Sequence, residues 1–184
     1  MFKGKLTRLR QFRSEDIPAI IALFNDEVIQ SNTTLPMLPP ATGENVRREF
    51  IEEVKADDFR YIIEDLTGQF LGYCHFRNSF KDRRTALAYE ISPQAQGKGY
   101  AADSLELMLN LIFMEMNMNK CSVAVLSTNK SARQLLEAAG FLVEVVARED
   151  IFRHGAYQDV LILGQLKSDY ILNCTKKTVR PNTN

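Results

Sequence analysis

The sequence lacks any long hydrophobic run. None of its apolar stretches approaches the roughly 18 to 20 residues that a membrane-spanning helix needs. The start of the 184-residue chain also lacks the hydrophobic core of a secretory signal peptide. These two absences favour a cytoplasmic protein that has no membrane partner.

Excess charge is also missing, because 23 Lys and Arg residues balance 23 Asp and Glu residues. A chain without net charge has no global field that would draw it to nucleic acid or to an anionic surface. We therefore expect no direct nucleic-acid partner, and any ligand must be recognised by local groups.

Cysteine and histidine are scarce. The three cysteines, Cys74, Cys121 and Cys174, are odd in number and lie about fifty residues apart, which is not the pattern of a disulfide framework or a zinc site. His75 is adjacent to Cys74, but neighbouring residues on a strand point to opposite faces of the sheet. We therefore expect reduced thiols and no metal cofactor.

The chain does contain enough apolar residues for one domain, since 45% of them are hydrophobic. We predict a single domain over residues 1–170 and a polar, frayed tail over 171–184. Hydrophobic periodicity and turn residues predict the order β-α-α-β-β-β-α-β-α-β-β, an α/β fold whose sheet mixes strand directions. The predicted strands are 5–12, 59–64, 70–76, one ending at 91, 121–126, 141–147 and 157–166, and the predicted helices follow Ser14 and Thr42 and cover 100–116 and 129–139.

A glycine-rich turn lies near the middle of the chain, between a predicted strand and a predicted helix. Gly97 and Gly99 follow the strand that ends at Ile91 and precede the helical pattern that begins at Tyr100. N–H groups at a helix start have no acceptor within the helix, and glycine lets the main chain lie close to a ligand. The turn is therefore predicted to bind an anion.

The residues of the turn leave several interpretations open. Residues 97–102 satisfy the loose G-x-G-x-x-[GA] form of a dinucleotide site, although no acid follows the next strand. A nucleoside-triphosphate loop needs Lys and a hydroxyl residue directly after its second glycine, whereas Lys98 lies between the two glycines. A packing turn without a ligand and a site for the pyrophosphate of coenzyme A remain.

Two segments carry a resemblance to a known family. Residues 96–101, Gln-Gly-Lys-Gly-Tyr-Ala, are similar to the Gln/Arg-x-x-Gly-x-Gly/Ala signature of the GNAT superfamily of acetyl-CoA-dependent N-acetyltransferases. Residues 129–141 resemble the superfamily's second conserved segment, an Asn-capped helix that ends in Gly-Phe. The resemblance extends over residues 5–167 and is closest to the branch that holds ribosomal-protein N-terminal, spermidine and some amino-acid N-acetyltransferases.

The resemblance implies a single-domain GNAT-type fold, with a mixed, mostly antiparallel central sheet and helices on both faces. It also implies that the strand ending at Ile91 splays from the next strand and that the pantetheine arm of acetyl-CoA lies in the gap. Lys98 is either a point charge on the pyrophosphate or a solvated lysine, and Asn129 is either a coenzyme contact or a simple helix cap. The implied coenzyme-binding residues are Tyr89, Ile91, Gln96, Gly97, Lys98, Gly99, Tyr100, Ala101, Ala102 and Asn129.

The implied reaction is attack of a neutral amine on the thioester carbonyl, with a backbone N–H of the splayed strand stabilising the oxyanion. An alkyl ammonium of pKa about 10 must first lose a proton, and Glu90 is the nearest carboxylate that can act as the base. The chain departs from its relatives at Leu136, where many carry a Tyr general acid, and at Thr85 and Ala86, where carboxylates are often found. An acetyl-CoA-binding sensor without turnover is therefore the alternative function.

By the same resemblance, the amine acceptor is a ribosomal-protein N-terminus, a polyamine or a small amino compound. Its site should be bordered by residues 32–40, 75–80 and 152–156, which are the least family-like parts of the chain. A second copy of the chain stays a candidate partner, because nothing in the sequence decides the oligomeric state.

Overall fold

The computed structural model describes residues 2–34, 40–52, 54–153 and 155–179. They form the strands β1 (Phe2–Lys3), β2 (Thr7–Gln11), β3 (Asp58–Asp65), β4 (Phe70–Ser79), β5 (Arg84–Ile91), β6 (Lys120–Leu126), β7 (Leu142–Arg153) and β8 (Ala156–Leu166). The α-helices are α1 (Ile17–Phe24), α2 (Glu27–Asn32), α3 (Gly43–Arg47), α4 (Tyr100–Asn110), α5 (Lys130–Ala139) and α6 (Lys167–Val179). Turns of π-helix over Arg48–Glu52 and Leu111–Glu115 extend α3 and α4.

All eight of these strands belong to one sheet, in the order β1-β2-β3-β4-β5-β6-β8-β7. Every neighbouring pair is antiparallel except β5 and β6, which are parallel. The predicted α/β fold with a mixed, mostly antiparallel sheet is therefore confirmed. The structure adds β1, a third helix before β3, and α6 to the predicted order.

Several helix ends follow the predicted capping residues. The Thr42 hydroxyl accepts a hydrogen bond from the Asn45 N–H (3.3 Å) at the start of α3. Gly140 ends α5 in the left-handed conformation, with φ +101°, which glycine adopts without a steric penalty.

The carboxyl-terminal segment differs from its prediction. Residues 171–179 were expected to belong to a frayed tail, but they are helical as part of α6. The physical reason is an aromatic contact, since the buried ring of Tyr170 packs 5.2 Å from that of Phe113 and anchors α6 beside α4. Residues 180–184 lie outside the described residues, and the assignment of 1–170 as the domain stays a prediction.

The sheet separates two hydrophobic cores. The larger core lies between the sheet and helices α4 and α5, and it includes Leu87 and Ile91 of β5. The smaller core packs α1, α2 and α3 against β3 and β4, and it includes Tyr73. We call the two sides of the sheet the α4 face and the α1 face. No helix of the described residues is long and apolar enough to cross a bilayer.

Gly72 on β4 allows a close approach of β5. It pairs with Ile91, and a Cβ at this position would overlap the carbonyl oxygen of Glu90. The extra residue of a β-bulge also lies here, because the register of β3 against β4 shifts between Ile63 and Glu64. The end of β5, where the candidate base lies, therefore depends on glycine at this position.

We expect Gly72→Ala to lower the free energy of unfolding by about 1–3 kcal/mol, because overpacking a tight site costs that much. Gly43→Ala is the matched control, since a Cβ there meets nothing closer than 3.8 Å and alanine favours a helix. Urea unfolding measures both changes. Equal stability of Gly72→Ala and the wild type would contradict the close approach.

Candidate active site

The two parallel strands at the centre of the sheet separate soon after they meet. β5 and β6 pair only over Arg84–Ala86 and Lys120–Ser122, although β5 continues to Ile91 and β6 to Leu126. Each strand keeps its other neighbour over its whole length. The predicted splay is confirmed, and it leaves a wedge-shaped gap that opens toward the carboxyl ends of β5 and β6.

Backbone polar groups line both walls of this gap. The Ser92 N–H donates to the Leu71 carbonyl (2.8 Å). The even-numbered residues at this end of β5 therefore make their backbone hydrogen bonds to β4. Because the direction alternates along an antiparallel strand, the N–H and C=O groups of Tyr89 and Ile91 face the gap. The backbone of β6 alternates in the same way against β8, so the N–H and C=O groups of Ala124 face the gap from the other wall. A strand-like ligand could therefore bond to both walls.

The glycine turn lies at the mouth of the gap and leads directly into α4. Gly97 and Gly99 both have positive φ, +73° and +82°, which reverses the chain between β5 and the helix. Among the described residues, no acceptor lies opposite the backbone N–H groups of 97–102, and the first bond of α4 runs from the Asp103 N–H to the Gly99 carbonyl (3.1 Å). We call these N–H groups the cradle, and their binding of an anion stays a prediction.

Two side chains shape the turn. The Gln96 side-chain N–H donates to the Ile91 carbonyl (3.1 Å), which ties the turn to the end of β5. The Lys98 ammonium donates to the Gln94 carbonyl (2.9 Å) and remains exposed beside the cradle. A Cβ at Gly97 would meet nothing within 4 Å, so space remains over the turn for a ligand.

Asn129 and Leu136 lie on α5, on the α4 face. The Asn129 side-chain oxygen accepts a hydrogen bond from the Ala132 N–H (3.1 Å), so its role as a helix cap is confirmed, while a coenzyme contact stays a prediction. Leu136 is 1% exposed in the larger core. Leu136 therefore packs in the core and has no group that could transfer a proton.

Glu90 lies on the α1 face of β5. It is the cross-strand partner of Tyr73, which belongs to the smaller core. Its side chain is half-buried, and among the described residues no donor or cation pairs with its carboxylate. Burial raises its pKa from an ordinary value of 4.5 to about 7. A carboxylate with this pKa can accept a proton near neutral pH.

Two tyrosines flank this carboxylate. Burial, followed by the nearby charge of Glu90, raises the pKa values of Tyr73 and Tyr89 above their ordinary value. Tyr89 packs against the larger core, while its backbone faces the gap. Both phenols therefore stay protonated at neutral pH.

Small side chains lie next to Glu90 on the α1 face. Ala86 and Ala88 of β5 and Ala124 of β6 are exposed there, and the smaller core takes no described residue from either strand. The neighbouring cation Lys120 is neutralised by Glu144, at 2.6 Å. We call Ala86, Ala88 and Ala124 the alanine floor. Ala88 and Ala124 border the gap on this face.

The other predicted positions have structural roles or lie outside the described residues. Thr85 is buried and donates to the Asn78 side chain (2.7 Å). His75 packs beside Asp58 on the α1 face (Nε2 to Oδ1, 3.3 Å), while Cys74 is in the larger core, so they point apart as predicted. Of the predicted acceptor border, residues 35–39 and His154 lie outside the described residues.

Sequence reasoning missed Asp103, whose carboxylate bonds to the start of β2. An aspartate in the first turn of a helix is common, so no local signal identifies its distant partners. Among the described residues, no group of three or more His, Cys, Asp or Glu side chains is placed to hold a metal ion.

Comparison with known families fits this geometry. Residues 7–142 match the family model for the acetyltransferase (GNAT) domain. The chain belongs to the GNAT acetyltransferase family. This GNAT protein is therefore an acyltransferase that uses acetyl-CoA, and the unpaired N–H groups of the cradle suit the coenzyme's pyrophosphate.

Similar proteins agree with the family. An uncharacterized SPbeta prophage-derived N-acetyltransferase of Bacillus subtilis is 28% identical over 171 residues, 92% of this chain and 95% of that protein. The spermidine N(1)-acetyltransferase of Vibrio cholerae is 30% identical over 113 residues, 61% of this chain and 65% of that protein. A crystal structure of spermidine N-acetyltransferase from Vibrio cholerae with CoA and spermine has a TM-score of 0.81 at 25% identity, and the match covers 90% of this chain and 98% of that chain. The predicted family and enzyme class are confirmed, and these relatives favour turnover over a sensor.

We expect Gly99→Asp to weaken acetyl-CoA binding severely, because it places a carboxylate among the N–H groups that would hold the pyrophosphate. Gly68→Asp is the control, since Gly68 also has positive φ (+97°) but lies in the β3–β4 turn. Isothermal titration calorimetry compares the two variants. Wild-type affinity of Gly99→Asp for coenzyme A would rule out the cradle as the pyrophosphate site.

Proposed function

We propose that the enzyme acetylates a primary amine of the polyamine class, with acetyl-CoA in the gap between β5 and β6 and Glu90 as the general base. The observation that carries this proposal is the position of Glu90. Its carboxylate is half-buried, has a pKa of about 7, and lies on β5, which borders the gap, on the same face of the sheet as the exposed alanine floor.

The coenzyme is assigned to the α4 side of the gap. The N–H groups of residues 97–102 would bind the pyrophosphate, with Lys98 adding a positive charge. The Tyr89 carbonyl would accept a hydrogen bond from the pantetheine arm, as from a neighbouring strand, while the Tyr89 and Ile91 N–H groups would face the thioester. Gln96 would keep the Ile91 carbonyl occupied, and the side-chain nitrogen of Asn129 would contact the coenzyme from the second wall.

Acetyl-CoA supplies a thioester carbonyl, which a neutral amine attacks as coenzyme A leaves as the thiol. Glu90 would take the proton from the incoming ammonium, because a carboxylate of pKa about 7 has a substantial ionised population near neutral pH. The Tyr89 and Ile91 N–H groups provide the donors that can stabilise negative charge on the carbonyl oxygen.

The leaving group would depart without a tyrosine from α5. Leu136 fills that place inside the core, so no phenol is available there. A thiol has a pKa of about 8.5, so coenzyme A is a moderately good leaving group and can take its proton from solvent. Catalysis in this enzyme would then rest on positioning, the base and the backbone donors.

A polyamine fits the acceptor side because it is a cation on a flexible alkyl chain. The unpaired charge of Glu90 would attract the reacting ammonium, and the alanine floor offers small apolar side chains along which the chain can lie. The similarity to spermidine N-acetyltransferases supports the same class. A cytoplasmic location and the lack of a nucleic-acid partner stay predictions. A second copy of the chain stays a candidate partner.

We expect polyamines to give the highest kcat/KM in a thiol-release assay with acetyl-CoA. The panel should contain spermidine, spermine and putrescine, free amino acids, and peptides with the N-terminal sequences of ribosomal proteins. Preference for a peptide or an amino acid would replace the proposed acceptor class. Silence across the panel despite measured coenzyme binding would contradict turnover itself.

The pH dependence of kcat tests Glu90. We expect wild-type kcat to fall as pH drops through about 7, since protonation removes the base. Glu90→Gln should lose this limb and lower kcat by about 100-fold or more at pH 8. Glu49→Gln is the control, because Glu49 is an exposed acid that also raises the pKa of Tyr73. It should retain the limb.

Stability measurements separate loss of the base from loss of the fold. The raised pKa of folded Glu90 means that its ionisation opposes folding as pH rises from 4.5 to about 7. Glu90→Gln should therefore be at least as stable as the wild type at pH 8. A Glu90→Gln enzyme with the wild-type pH profile would remove Glu90 from the mechanism.

A further inference from the structure

Asp103, in the first turn of α4, bonds to three consecutive residues at the start of the chain. Its carboxylate accepts the Lys5 N–H (3.0 Å), the Leu6 N–H (3.0 Å) and the Thr7 N–H (2.8 Å). The Thr7 hydroxyl donates a fourth bond, at 2.7 Å. We call this group of four bonds the Asp103 clamp.

The clamp joins two parts of the molecule that the sheet keeps apart. Thr7 begins β2, which is separated from β5 by β3 and β4 in the sheet. The cradle is already tied to β5 through Gln96. Asp103 gives the same turn a second attachment, so the N–H groups of 97–102 are held from both sides.

The four donors hold the negative charge of Asp103 on the β2 side. Although burial of the carboxylate acts to raise its pKa, the bonds from Thr7, Leu6 and Lys5 hold that pKa below its ordinary value. Asp103 therefore stays ionised at neutral pH. Among the residues that the structure describes, the donors to its carboxylate all come from the β2 side, so the N–H groups of the cradle remain available for another anion.

The space around the clamp is closely filled. A Cβ at Gly4 would lie 2.5 Å from Asp103 Oδ2, so only glycine lets the chain pass over the carboxylate. Thr7 has no exposed surface. The Leu6 side chain reaches the cradle, where its Cδ1 would lie 3.4 Å from a Cβ at Gly99. The start of β2 therefore forms part of the wall around the cradle.

We propose that Asp103 is a positioning residue for acetyl-CoA, which fixes the cradle against the start of β2 without touching the coenzyme. This inference rests on the proposed role of the cradle as the pyrophosphate site. A cradle with fixed N–H groups loses less conformational freedom on binding, so the clamp acts on coenzyme affinity rather than on chemistry.

The test compares Asp103→Asn with Asp16→Asn. Asp16 also accepts bonds from a backbone N–H and a side chain, Arg13 and Arg10, but it lies beyond the opposite end of β2. Asp103→Asn should raise the Kd for coenzyme A and the KM for acetyl-CoA by roughly 3- to 30-fold, with kcat at saturating acetyl-CoA unchanged. Asp16→Asn should lower the Tm and leave Kd and KM at their wild-type values.

Thr7→Val provides a milder variant, because it deletes only the hydroxyl donor of the clamp and should raise Kd by a smaller factor. If Asp103→Asn and Thr7→Val bind coenzyme A as the wild type does, or if Asp16→Asn weakens binding equally, the positioning role is wrong. Gly99→Asp separates this result from failure of the cradle. If Gly99→Asp loses coenzyme A binding while Asp103→Asn keeps wild-type affinity, only the role of the clamp is rejected. If Gly99→Asp keeps wild-type affinity, the cradle is not the pyrophosphate site.

Discussion

The parallel pairing of β5 and β6 stops after three residues. The rest of the site depends on the separation of the two strands beyond that point. Strands that continued to pair would satisfy each other's backbone groups and close the sheet. Because they separate instead, Tyr89, Ile91 and Ala124 keep polar groups that only a ligand or water can satisfy. The same divergence places the glycine turn at the mouth of the gap, where α4 begins.

The two faces of the sheet carry different parts of the proposed site. The α4 face carries the cradle, α5 and the larger core, and it is the side on which we propose that the coenzyme binds. The α1 face near β5 and β6 is open and lined by small side chains, so an amine can approach Glu90. Gly72 lets β5 come close to β4 beside Glu90, because a Cβ at Gly72 would overlap the backbone carbonyl oxygen of Glu90.

Local sequence signals predicted most of the fold, and together with the family resemblance they predicted a coenzyme side of the site. Glycines at positive φ, an asparagine cap and periodic apolar residues act over a few neighbours, so Gly97, Gly99, Asn129 and α5 could be predicted from the chain alone. Long-range contacts were missed for the opposite reason. Thr7 and Asp103 are 96 residues apart, and α6 depends on the contact of Tyr170 with Phe113. The raised pKa of Glu90 likewise comes from burial that no sequence pattern reports.

Amide hydrogen exchange, resolved by residue with and without coenzyme A, tests the central claim most directly. The amides of Tyr89, Ile91 and residues 97–102 should exchange rapidly in the free enzyme, where they face water, and slowly when coenzyme A is bound and supplies an acceptor. Unchanged exchange at these amides under saturating coenzyme A, with protection appearing elsewhere on the sheet, would contradict it.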